Sequence, residues 1–209
     1  MSKILDLSLY LVLDTSLCNG AEDVLHTAQA ALKNGITMLQ LRSEHMTGKE
    51  WLEIGVPLKE LLNASGVPFI VNNRLDMALA LDADGVHIGQ KDLPPHIARR
   101  ILGPDKLIGL SISTAEELAS APCELVNYLG IGPVFPTTSK QNTAPALGIA
   151  GLKQMVQAKK APAVGIGGIT PENIAAVLAT GIEGVGVVSA ICGQKSPGDA
   201  TKKLKESLR

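Results

Sequence analysis

Short apolar runs recur along the chain, and each is followed by a longer stretch in which apolar residues return every three or four positions. An unbroken apolar run of four or five residues suits a strand buried on both faces, whereas the longer period is that of a helix. The runs at 10–13, 38–41, 68–71, 85–88, 107–110, 128–131, 163–166 and 184–188 predict strands. The stretches at 22–34, 48–64, 75–81, 95–102, 115–119, 149–159, 171–178 and 199–208 predict helices. This alternation, at a spacing of roughly 20 to 30 residues, is the pattern of repeated βα units. Eight units are the number that closes a (β/α)8 TIM barrel, of minimal length at 209 residues and with the whole chain, 1–209, in a single domain. A doubly wound open sheet would carry a glycine-rich turn after its first strand, and Tyr10-Leu-Val-Leu-Asp-Thr15 has no glycine there. Helix starts agree with the register: Ser113-Thr-Ala-Glu116 reads as a capping box, and Thr170 stands as a cap before Pro171.

Composition narrows the function. Apolar residues make up 45% and charged residues 19%, enough for a core and against disorder. Aromatic residues are only 2%, which argues against stacking platforms for single-stranded nucleic acid. A net charge of -1 with a pI near 6.4 gives no basic footprint for a duplex. The apolar run at 9–13 falls far short of the ~20 residues of a membrane span and is flanked by Asp6 and Asp14. No signal peptide or membrane helix is expected, and the expected location is cytoplasmic. Cys18, Cys123 and Cys192 form neither a paired framework nor a metal or redox motif and read as buried or half-buried thiols.

In such a barrel the chemistry belongs at the C-terminal ends of the strands. Gln40 and Arg42 close the second predicted strand, Asn72 and Asn73 the third, and Gln90 and Asp92 follow the fourth. Ser111 ends the fifth, the sixth runs into a loop reaching Lys140, and the last two end in Gly167-Gly168 and Val188-Ser189. The glycine pair suits close approach of backbone N–H groups to a phosphate, or simply tight strand-to-helix packing. Arg42, Lys140 and Asp92 suit a pyrophosphate with a divalent ion, since Mg²⁺ takes one or two carboxylates plus phosphate oxygens and water. Asp92 also reads as a helix cap, Arg42 and Lys140 as solvated charges, and Ser111 as packing in a small space. His87, inside a buried strand, reads as a satisfied core histidine; His26, His45 and His96 have no ligand-like spacing.

Seven ordered motifs give the chain a family resemblance. Gln40-Leu-Arg42, Val71-Asn-Asn-Arg74, the run Ala83 to Pro94, Gly109-Leu-Ser111, the run Gly130 to Lys140, Ile166-Gly-Gly-Ile169 and Val187-Val-Ser-Ala190 together resemble the thiamine phosphate synthase family over nearly the whole chain. The resemblance implies a Mg²⁺-dependent transferase with small-molecule substrates. It joins 4-amino-2-methyl-5-pyrimidinylmethyl diphosphate to a thiazole ethyl phosphate and gives thiamine phosphate and pyrophosphate. It places the pyrimidine diphosphate on Gln40, Leu41, Arg42, Ser43, Glu44, Asn72, Ser111 and Lys140, with Arg42, Ser111 and Lys140 as the catalytic set. It places the thiazole phosphate on Thr137, Thr138, Ser139, Gly168, Val188 and Ser189, and Mg²⁺ on Asn73 and Asp92. No nucleic-acid or membrane partner follows, and a homo-oligomer stays open.

Three positions depart from the family pattern. Asn73 stands where an aspartate is usual, which predicts weaker Mg²⁺ binding because an amide brings no charge. Glu44 stands where a lysine is common, removing a cation that neighbouring His45 would replace only in part. The usual Ser-x-His-Thr reads Ser111-Ile-Ser113-Thr114. A thiazole tautomerase of the same fold is the alternative function, and a regulator that binds thiazole phosphate or thiamine phosphate without turnover is another.

Overall fold

The computed structural model of the protein describes residues 5–139 and 144–208. Eight strands alternate with α-helices: β1 (Leu9–Asp14), α1 (Gly20–Lys33), β2 (Met38–Arg42), α2 (Gly48–Ser65), β3 (Phe69–Asn72), α3 (Leu75–Ala80), β4 (Gly85–Ile88), α4 (Pro95–Leu102), β5 (Leu107–Ile112), α5 (Ala115–Ser120), β6 (Tyr128–Ile131), α6 (Gly148–Ala158), β7 (Ala163–Ile166), α7 (Ile174–Leu178), β8 (Gly184–Val187) and α8 (Pro197–Glu206). Every strand pairs in parallel with its sequence neighbour, and β1 pairs with β8 through Leu9↔Val185 and Leu11↔Val187, so the sheet closes on itself. The expected (β/α)8 barrel is therefore the observed architecture.

Alternation along each strand sends one set of side chains outward and one inward. The outward set, with Leu9, Leu11, Leu39, Leu41, Phe69 and Val71 among it, packs against the helices in one large apolar layer. The inward set changes character with height. Tyr10, Met38, Ile70, Tyr128 and Val164 fill the barrel floor. One step nearer the C-terminal ends of the strands the inward residues are Gln40, Asn72, His87 and Ser111, all facing a cavity.

Both helix-start signals read from the sequence, before α5 and before α7, are corrected. The cap of α5 is Thr114, whose hydroxyl accepts the Glu117 N–H, because β5 runs through Ile112 and leaves Ser113 between strand and cap, its N–H bound to the Glu117 carboxylate. Helix α7 begins three residues later than the proline suggests. Asn173 holds that delay by accepting the Thr170 N–H at 2.9 Å and donating to the Gly168 carbonyl at 2.9 Å. A capping box not read from the sequence, Thr47 with Glu50, starts α2. Among the described residues, no helix is long and apolar enough to cross a membrane.

Candidate active site

The C-terminal mouth of the barrel holds a two-lobed cavity. A deep lobe of ≈ 220 Å³ sinks between the strand ends and is lined by Gln40, Arg42, Asn72, His87 and Ser111. A wider lobe of ≈ 830 Å³ lies over β7 and β8 and is lined by Gly168, Ser189, Gln194 and Lys203. Thr137, Ser139, Gly167 and Val188 line both, so the lobes share a wall.

The deep lobe is organised by hydrogen bonds between strands. Gln40 is almost fully buried, and its amide nitrogen donates to the Tyr10 hydroxyl at 2.6 Å. The Tyr10 and Tyr128 hydroxyls are 2.8 Å apart, and the Tyr128 hydroxyl is 3.1 Å from His87 Nδ1. His87 Nε2 is 2.9 Å from Ser111 Oγ. His87 is thus satisfied, as expected, but it stands half-buried in the cavity wall rather than in the core. Burial pushes the Tyr10 and Tyr128 phenols well above the usual tyrosine range, so both keep their protons.

Arg42 is held from three sides. Its guanidinium pairs with the buried Asp14 carboxylate and with Glu44, and donates to the Ser139 carbonyl at 3.3 Å. Asp14 ends β1 directly opposite Arg42 in the strand register, which sequence spacing did not reveal. Its signal was a polar residue at the end of a fully apolar strand. Glu44 therefore does more than omit a lysine charge, because it occupies the arginine that would meet an anion.

Two tied turns, the first a glycine pair, border the wider lobe. Gly167 and Gly168 take positive φ values of 99° and 65°, a conformation that favours glycine. Asn173 ties this turn through the Gly168 carbonyl, and Gln194 ties the neighbouring one by donating to the Ser189 carbonyl at 2.7 Å.

Not every expected residue lines the lobes. Leu41 points outward into the strand–helix layer, so only its backbone is available to a ligand in the barrel. Ser43, Glu44, Asn73, Asp92 and Thr138 also lie outside the two linings. Lys140 falls outside the described residues, as do neighbours in the same loop.

Asn73 and Asp92 both hang on the end of β4. The Asn73 N–H donates to the His87 carbonyl at 2.9 Å, and Asp92 Oδ2 accepts the Gly89 N–H at 2.6 Å. Asn73 has a φ of 59°, which asparagine tolerates better than most residues. Asp92 borders a separate hollow with Gln90 and Glu117. Among the described residues, no group of three or more His, Cys, Asp or Glu side chains could hold a metal alone. One carboxylate and one amide carbonyl on adjoining loops fit a Mg²⁺ whose other ligands are substrate oxygens and water.

The family model described as thiamine monophosphate synthase matches residues 9–191. A thiamine-phosphate synthase from Desulfitobacterium hafniense (strain Y51) is 50% identical over 204 residues, covering 98% of each chain. One from Laribacter hongkongensis is 46% identical over 204 residues, covering 98% of this chain and 96% of the relative. Among solved structures, the thiamine phosphate pyrophosphorylase from Pyrococcus furiosus superposes with a TM-score of 0.88 at 37% identity, covering 98% of this chain and 96% of that one.

Proposed function

This chain belongs to the thiamine monophosphate synthase family, and from that premise we propose that it joins 4-amino-2-methyl-5-pyrimidinylmethyl diphosphate to a thiazole ethyl phosphate, releasing pyrophosphate. One observation carries the reading: the deep and wide lobes share the wall formed by Thr137, Ser139, Gly167 and Val188. A pyrimidine on Gln40 and a thiazole whose phosphate rests on Gly168 and Ser189 would meet across that wall.

The aminopyrimidine can release electron density into its exocyclic methylene as the carbon–oxygen bond to pyrophosphate breaks. The thiazole nitrogen then bonds to that carbon, and no protein nucleophile is required. The protein's tasks are to stabilise the departing charge, exclude water and hold the two rings in line. Arg42 and Ser111 face the diphosphate end in this reading, and the family resemblance assigns Lys140 to the same substrate. Gln40 presents an acceptor and a donor to the aminopyrimidine edge. Mg²⁺ on Asp92 and Asn73 would neutralise diphosphate charge when bound. A cytoplasmic location and small-molecule partners fit this biosynthetic role.

The assay supplies both substrates and follows pyrophosphate with and without Mg²⁺. Release that needs both substrates and the metal is the expected result. Thiazole isomerisation without pyrophosphate would instead make the protein a tautomerase, and binding without turnover a regulator.

Glu44→Gln should lower the KM for the pyrimidine diphosphate about threefold with little change in kcat, the scale of an exposed ion pair. Steady-state kinetics at low ionic strength check this. An unchanged KM would mean that Glu44 does not compete with the diphosphate for Arg42.

A further inference from the structure

Gln40, Tyr10, Tyr128, His87 and Ser111 form one unbroken line of hydrogen bonds across the barrel, with successive separations of 2.6, 2.8, 3.1 and 2.9 Å. Gln40 and Ser111, the two ends, face the deep lobe, as do Tyr10 and His87 between them; the proposed substrate presents its amino edge to Gln40 and its diphosphate to Ser111. The three middle residues have no part in the mechanism so far described.

Each link holds one proton between two heavy atoms, and a neutral imidazole has one donor and one acceptor nitrogen. Both phenols remain protonated because burial disfavours their anions. With a neutral imidazole the line therefore has two complete arrangements. In the first, Gln40 Nε2–H donates to Tyr10, Tyr10 to Tyr128, Tyr128 to His87 Nδ1, and His87 Nε2–H to Ser111 Oγ. Gln40 then turns its carbonyl oxygen toward the cavity, and Ser111 keeps its hydroxyl proton for a ligand. In the second, every donor and acceptor exchanges: Ser111 donates to His87 Nε2, and the Gln40 carbonyl accepts from Tyr10. A mixed arrangement either opposes two donors or two lone pairs in a link or leaves a buried hydroxyl proton without an acceptor, which is costly.

We propose that this line is a positioning relay: an amino group that donates to the Gln40 carbonyl selects the arrangement in which Ser111 can donate to a diphosphate oxygen. The two ends of the substrate are thereby recognised cooperatively. The structure has Gln40 donating to Tyr10, the link that the first arrangement requires, and the three other links accommodate either sense. Gly109 makes the central link sterically possible, since a Cβ there would overlap both the Tyr128 hydroxyl and His87 Nδ1. Edge-on contact between the Tyr10 and Tyr128 rings, centroids 5.7 Å apart, keeps the hydroxyls in register. The proposal rests on the pyrimidine diphosphate reading of the deep lobe.

The test measures the Kd of the 4-amino pyrimidine diphosphate and of its 4-desamino analogue, without the second substrate, in the parent protein, Ser111→Ala, Tyr128→Phe and the double variant, with melting temperature followed throughout. In the parent background, Ser111→Ala should cost about tenfold more with the amino substrate than with the analogue, the size of coupling expected within one network. In Tyr128→Phe that difference should fall to within about twofold, because the line is cut. A merely structural Tyr128 would weaken binding but leave the coupling in place, and that result overturns the relay. So does a parent protein in which the two losses simply multiply. Tyr10→Phe cuts the line at another link and must give the same result, which keeps the test open if Tyr128→Phe folds poorly. A parent protein that releases no pyrophosphate would sink the substrate reading and the relay with it, an outcome distinct from an active parent without coupling.

Discussion

Asp92→Asn lowers the rate of pyrophosphate release by roughly a hundredfold or more, the scale of losing one charge contact in a transition state, while melting temperature stays within about 2 °C of the parent. The side chain has two separable roles. As a hydrogen-bond acceptor it holds the Gly89 N–H at 2.6 Å and shapes the loop after β4. As a carboxylate it would supply the only protein charge to Mg²⁺, because the companion position is Asn73. Asparagine keeps the first role and removes the second, so activity and folding should part company. Raising Mg²⁺ should recover part of the lost rate. A variant as active as the parent would remove Asp92 from the metal site and leave it a loop cap.

Gly168→Ala should produce the largest combined loss. A Cβ at this position would lie 2.7 Å from both Phe135 Cβ and the Pro136 carbonyl oxygen, and the backbone has φ 65°. Left-handed strain in a non-glycine residue costs about 1–3 kcal/mol before any collision is counted. At about 2–4 °C per kcal/mol for a chain of this size, melting temperature should fall by at least several degrees. The same substitution displaces the loop carrying Thr137 and Ser139, which walls both lobes. The KM for the thiazole phosphate should therefore rise roughly a hundredfold, as remote misplacement of a positioning group can do. Calorimetry and steady-state kinetics check the two parts. A KM unchanged at a temperature where the variant is folded would separate this turn from the phosphate.

The barrel was legible because its physics is local. Strands covered on both faces read as apolar runs, and the helices between them read at their own period. What failed was also local but ambiguous: Ser113-Thr114-Ala-Glu116-Glu117 contains two overlapping capping patterns, and the length of β5 decides between them. Alternation alone places Gln40, Arg42 and Ser111 at inward strand ends, and it equally turns Leu41 away, which motif matching overlooked. The Asp14–Arg42 pairing and the tyrosine pair were beyond reach for another reason. Tyr10 and Tyr128 are 118 positions apart, and their contact exists only once the barrel closes.

The change from apolar floor to polar mouth inside the barrel has an evolutionary consequence. Residues that keep the protein folded and residues that choose its chemistry occupy different heights on the same strands, so a lineage can alter the mouth without rewriting the floor. Tyr10 and Tyr128 break that separation. Their rings belong to the floor and their hydroxyls reach the level of the site. Substitutions there would alter the packing of the floor and the hydrogen bonds to Gln40 and His87 at once.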